Sequence, residues 1–115
     1  AISQEYLGKA DAEVLLIGWG STCNIIKDAI NEINNPNISF LHFKQVYPLN
    51  KDILLYFKNN KGLKKVICIE NNYTGQFANL LKQELDIKVD KKILKYNGLA
   101  FSVEELVEKI KEVIL

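Results

Sequence analysis

A chain of 115 residues, 48% hydrophobic and 25% charged, is enough for one ordinary soluble domain and too short for two. A formal charge of +1 argues against a dedicated nucleic-acid or membrane-surface binder. All 15 basic residues are lysine, so the rigid bidentate fork that arginine offers to carboxylates, phosphates and guanine edges is absent.

In chain order, Ala1 to Asp11 is polar and mixed, and reads as a lead-in or a short edge strand. Glu13 to Gly18 is a continuous apolar run of strand length, the pattern of a strand covered on both faces. Ser21 is placed to cap a helix carrying Ile25, Ile26, Ala29, Ile30 and Ile33 on one stripe, and Asn34-Asn35-Pro36-Asn37 stops it. Ile38 to Phe43 is a second strand. Asn50 caps a short helix through Phe57, closed by Asn59-Asn60-Lys61-Gly62. Lys65 to Glu70 is a third strand. Thr74 and Gly75 open a helix expected to bury Phe77, Leu80, Leu81 and Leu85. Lys91 to Tyr96 is a weaker fourth strand, and Ser102 with Glu105 matches the S-x-x-E capping box of a final helix.

This alternation predicts an α/β fold: a three-layer α/β/α sandwich around a mostly parallel sheet of about five strands. Functional loops in such folds gather beyond the C-terminal ends of the strands, here Gly18–Thr22, Lys44–Asn50, Asn71–Gln76 and Asn97–Ser102.

None of these loops carries a complete catalytic set. Gly18-Trp19-Gly20-Ser21-Thr22-Cys23 begins like a dinucleotide fingerprint, but Cys23 replaces the third glycine. The second strand ends in Phe43-Lys44-Gln45, where an acidic ribose ligand is expected. The two glycines read instead as a tight strand-to-helix turn, with Trp19 packing against a neighbour. The helix start still offers N–H groups to an anion, and Cys23 lies where such a start lowers a thiol pKa. His42 is the only histidine; it shares a strand face with Phe40, and no nucleophile or acid adjoins it in sequence. Cys23 and Cys68 form no C-x-x-C pair, and Cys68 reads as a small buried hydrophobe. The acids that a magnesium-binding response regulator needs after its first and third strands are missing. Glu70 to Gln76 is the loop best suited to an interface, combining tyrosine with directional amides. Lys88, Lys91, Lys92 and Lys95 form the densest positive cluster; Glu84, Asp86 and Asp90 interleave with it in the manner of a solvated face. No signal peptide or membrane-length apolar run is visible, so the sequence reads as cytoplasmic. The chain contains no methionine, even at position 1, which fits either loss of an initiator or excision from a longer chain.

Three segments together resemble a known family. Val14 to Thr22 (VLLIGWGST), Leu41 to Leu49 (LHFKQVYPL) and Ile69 to Gln76 (IENNYTGQ), in this order, resemble the C-terminal domain of 2-oxoacid:ferredoxin oxidoreductase alpha subunits. Lys95 to Ser102 (KYNGLAFS) fits the same family's ending. The resemblance implies that residues 1–115 are a single transketolase C-terminal-like domain of a longer alpha subunit, with one antiparallel strand that Ala1 to Asp11 would supply. It also implies a parent complex that decarboxylates a 2-oxoacid oxidatively to acyl-CoA and reduces ferredoxin. That complex would use thiamine diphosphate, magnesium, iron–sulfur clusters and coenzyme A. The chain itself lacks the G-D-G start of the diphosphate motif and the cysteines of a cluster, so no cofactor, metal or catalytic residue is expected within it. Its partners would be the other alpha-subunit domains and the beta subunit, with ferredoxin meeting the whole complex. Trp19, Ser21, Thr22, Gln45, Tyr47, Tyr73, Thr74 and Gln76 are the expected interface or ligand-approach residues. The alternatives are the equivalent domain of a transketolase or pyruvate dehydrogenase beta subunit, or a free-standing small-ligand module using the Gly18–Thr22 helix start.

Overall fold

The computed structural model describes residues 4–43, 54–70, 76–95 and 101–114. Strands β1 (Gln4–Leu7), β2 (Val14–Trp19), β3 (Ile38–Phe43), β4 (Lys65–Glu70) and β5 (Lys91–Leu94) form one sheet in the order β1-β3-β2-β4-β5. Neighbours pair in parallel except β1, which runs antiparallel to β3 with Glu5 opposite His42. The lead-in segment therefore supplies the odd strand, at one edge of the sheet.

Helices α1 (Cys23–Ile33) and α4 (Val103–Ile114) cover one face; α2 (Leu54–Lys58) and α3 (Gln76–Leu85) cover the other. Alternation along the central strands produces the two cores. Leu16, Phe40, Ile67 and Ile69 meet Ile26, Ala29, Leu106 and Ile110, whereas Leu15, Ile17, Leu41 and Cys68 meet Leu81 and Leu85. Strands β2, β3 and β4 are mostly apolar because both faces are covered, with Ser39, His42 and Glu70 as buried polar exceptions.

The helix ends follow local chemistry with one correction. Asn34 takes a left-handed conformation (φ 53°) and its N–H donates to the Ile30 carbonyl, ending α1 as the Asn-Asn-Pro-Asn run predicts. The Ser102 hydroxyl accepts the Glu105 N–H at 3.0 Å, half of the capping box. The Glu105 carboxylate does not complete that box; Lys95 Nζ holds both its oxygens at 2.8 Å, which draws the Glu105 pKa below its ordinary value. Ser21, expected as the cap of α1, is instead the middle of a 3-10 turn, Gly20–Thr22, and Thr22 is the N-cap. The reason is that this turn runs straight into α1, so the Cys23 N–H already has the Gly20 carbonyl. Helix α2 spans Leu54–Lys58, with the proposed cap Asn50 outside the described residues. Of the residues expected to be buried by α3, Leu81 and Leu85 are buried and Leu80 is half-buried.

Candidate functional site

The chain turns from β2 into α1 on one face of the sheet and from β4 into α3 on the other, although β2 and β4 are neighbours. The strand order switches direction between them, and such a switch point is where an open α/β sheet usually forms its ligand or partner crevice, beyond the strand C-termini. The register fixes which strand ends meet there. Trp19 lies beside Phe43, and two residues beyond the Ile17–Cys68 pair bring Trp19 level with Glu70.

Two glycines shape the β2 side. A Cβ on Gly18 would lie 2.5 Å from Ile26 Cδ1 and 3.3 Å from Phe40, so its absence lets α1 settle against the strand. Gly20 takes φ +66°, which turns the chain sharply after Trp19, and a side chain there would meet nothing within 4 Å. Trp19, between them, is 38% exposed, one of two large hydrophobic side chains exposed among the described residues. Thr22, by contrast, is buried, and its hydroxyl donates to the Trp19 carbonyl at 2.9 Å.

The β4 side is organised by an acid that sequence reasoning did not single out. Glu70 is 1% exposed, and its Oε2 accepts the Ala78 N–H in the first turn of α3 at 3.2 Å. Orphan N–H groups open every helix, and here a strand residue eight positions back supplies the acceptor. The Cys68 thiol donates to the same oxygen at 3.6 Å. Burial, first, and then the Glu70 carboxylate push the Cys68 pKa well above its ordinary value. The only signal for this in the sequence was an acidic residue closing an apolar strand.

Of the eight expected contact residues, Trp19, Ser21 and Thr22 lie at the end of β2 and in the 3-10 turn that follows it, and Gln76 is the first residue of α3. Gln45, Tyr47, Tyr73 and Thr74 lie outside the described residues. His42 is buried beside Phe40, ring centroids 5.8 Å apart, on the face predicted by alternation. Cys23 is buried in the α1–α4 layer and Cys68 in the α2–α3 layer, so the sheet separates the chain's two thiols and they do not fit a shared cluster. Among the described residues, no three His, Cys, Asp or Glu side chains gather as a metal site would require. No described helix is long and apolar enough to cross a membrane.

Fold and crevice together define a mixed α/β domain of five strands, one of them antiparallel, that presents an outward tryptophan at its topological switch point. Comparison with known proteins gives it a family context. The chain is 33% identical over 112 residues to subunit alpha of 2-oxoacid:ferredoxin oxidoreductase 1 from Aeropyrum pernix, covering 96% of this chain and 18% of the relative. It is 33% identical over 109 residues to the alpha subunit from Saccharolobus solfataricus, covering 93% of this chain and 17% of that protein. Among solved structures, 2-oxoglutarate:ferredoxin oxidoreductase from Magnetococcus marinus, with 2-oxoglutarate, coenzyme A and succinyl-CoA bound, superposes with a TM-score of 0.86. Identity there is 27%, over 100% of this chain and 20% of that one. The crystal structure of the alpha chain of a probable 2-oxoacid ferredoxin oxidoreductase from Thermoplasma acidophilum gives a TM-score of 0.65 at 28% identity, covering 97% of each chain. No protein-family model matches. The chain is homologous to a domain-sized part of 2-oxoacid:ferredoxin oxidoreductase alpha subunits, and spans less than a fifth of the length of these curated relatives. The transketolase and pyruvate dehydrogenase alternative is not favoured.

Proposed function

We propose that residues 1–115 form a single accessory domain of an alpha subunit and work by packing against the rest of that subunit and its beta subunit. In this reading the complex decarboxylates a 2-oxoacid oxidatively, forms acyl-CoA and passes electrons to ferredoxin. Thiamine diphosphate, magnesium and iron–sulfur clusters would be held by the other parts, and the domain would border the approach of coenzyme A and substrate. The observation that carries this is Trp19. A large amphipathic ring held outward by a built turn is an interface anchor, costly to expose unless another surface covers it. Ser21, Gln45, Tyr47, Tyr73, Thr74 and Gln76 are proposed to surround it with polar contacts, while buried Thr22 contributes by fixing the Trp19 backbone.

The test is reconstitution. The chain is combined with the remaining alpha-subunit segment and the beta subunit, and 2-oxoacid-dependent acyl-CoA formation and ferredoxin reduction are measured. Assembly and turnover are expected in the mixture and no decarboxylation by the chain alone. Turnover by the chain alone, or failure of the parts to associate, overturns the reading.

A further inference from the structure

The lysine cluster around β5 resolves into two parts that the sequence does not separate. Lys95 is committed to Glu105, and its ammonium also lies 5.7 Å from the centre of the Phe101 ring. Lys88, Lys91 and Lys92 stay exposed along the sheet edge. Two acids that interleave with them are directed elsewhere: Asp86 is held by Lys82, and Asp90 Oδ2 accepts the Val66 N–H at 2.7 Å. The alternation that reads as a self-neutralised face thus leaves a basic edge.

That edge has a particular shape. β5 is the last strand of the sheet and pairs only with β4 among the described residues. An open cleft flanks it on each face. One, of about 400 Å³, is ringed by Lys82, Lys88 and Lys92 over Ala78 and Val89; the other, of about 270 Å³, lies between Ile93 and Val113, with Lys109 and Glu112 at its rim. With Lys82 paired to Asp86, three further lysines (Lys88, Lys92 and Lys109) and one acid (Glu112) line the two clefts, still a stronger bias than the +1 of the whole chain.

We propose that the outer edge of β5 receives an acidic, extended segment of a partner protein as a sixth strand. An added strand uses the backbone groups of the outer edge, which pair with no other described strand, and sends alternate side chains to opposite faces of the sheet, where the two clefts lie. Lysine ammoniums are point charges without arginine's planar fork, which suits carboxylates distributed along a strand. A compact anion finds no enclosed pocket here. Lysines on an edge strand also discourage pairing of like edges, and the acidic segment supplies the charge that reverses this. The inference is independent of the oxidoreductase reading, since it concerns the β5 margin of the sheet and invokes none of the residues proposed above to contact the rest of the complex.

The experiment titrates the isotope-labelled 115-residue chain with a blocked octapeptide alternating glutamate and valine. The expected result is saturable binding with amide shifts concentrated at residues 91–94, weakened by salt as the Debye length contracts from roughly 20 Å to roughly 5 Å. K88E/K92E, changing two exposed side chains, is expected to weaken binding about tenfold or more with an unchanged unfolding midpoint. A peptide N-methylated at alternate amides is expected not to bind, which isolates the backbone contribution without altering the protein. No saturation below about 1 mM, a Kd corresponding to the weak limit of specific association, overturns the proposal. So do shifts spread over other lysine-bearing surfaces, or equal binding of the methylated peptide.

Discussion

The Glu70 carboxylate, at the end of β4, accepts the backbone N–H of Ala78 across the start of α3, 3.2 Å away and almost wholly out of solvent. This buried bond ties strand to helix on the β4 side. The opposite side is set by Gly18 and Ile26, so the crevice is framed by contacts beneath its surface.

Glu70→Ala strands the Ala78 N–H and leaves a void. It is expected to lower unfolding free energy by about 2–3 kcal/mol in urea titrations. Glu70→Gln keeps an acceptor at the same reach and should lose less. Equal losses in the two variants would show that the bond itself contributes nothing.

Gly18→Ala forces its new methyl against Ile26 Cδ1, which is fully buried and has little room to yield. The expected cost is about 1–3 kcal/mol. Ile26→Val removes the clashing carbon, so the double variant should be less destabilised than the two single changes summed. Strict additivity in a double-mutant cycle contradicts the proposed contact.

The Cys68 thiol gives a pH dependence of defined sign. Its pKa is raised in the folded protein by burial and by Glu70, while an unfolded thiol ionises at about 9.0. Above that pH the unfolded state binds fewer protons, so the contribution present below 9.0 is lost as pH rises through the folded value. The difference in urea midpoint between wild type and Cys68→Ala should therefore change as pH passes 9.0. A constant difference across that range would remove the linkage.

Trp19 is the only tryptophan, which makes it a reporter of its own burial. Assembly with the remaining alpha-subunit segment and the beta subunit is expected to shift its emission to shorter wavelength and to protect it from quenchers. Trp19→Ala should weaken that assembly. Unchanged emission in an assembled complex would place the interface elsewhere.

Much of the architecture was legible because its signals are local. Apolar runs at 14–17 and 66–69 are unbroken since both strand faces are covered, and Asn34 and Ser102 mark helix ends through bonds spanning three or four residues. Gly18 and Gly20 also read correctly as a tight turn, although the clash behind Gly18 required knowing that Ile26 lies above it. The Ser21 cap failed for a local reason: a 3-10 turn and a capped start satisfy the same first N–H groups, and the sequence permits both.

What the amino-acid order determined by itself was the alternation of strands and helices, the two-sided burial of the central strands and the family resemblance, since each is written in neighbouring residues. Tertiary structure alone decided the remote partners. Asn60 reaches the Ala12 carbonyl from 48 positions away, and Glu70 closes a helix that begins in another segment. It also parted one lysine from its cluster and assigned one interleaved acid, Asp90, to the Val66 N–H. A side chain's charge and hydrogen-bonding capacity are intrinsic, but which group uses them is set by distance in space, and only the packed sheet fixes that.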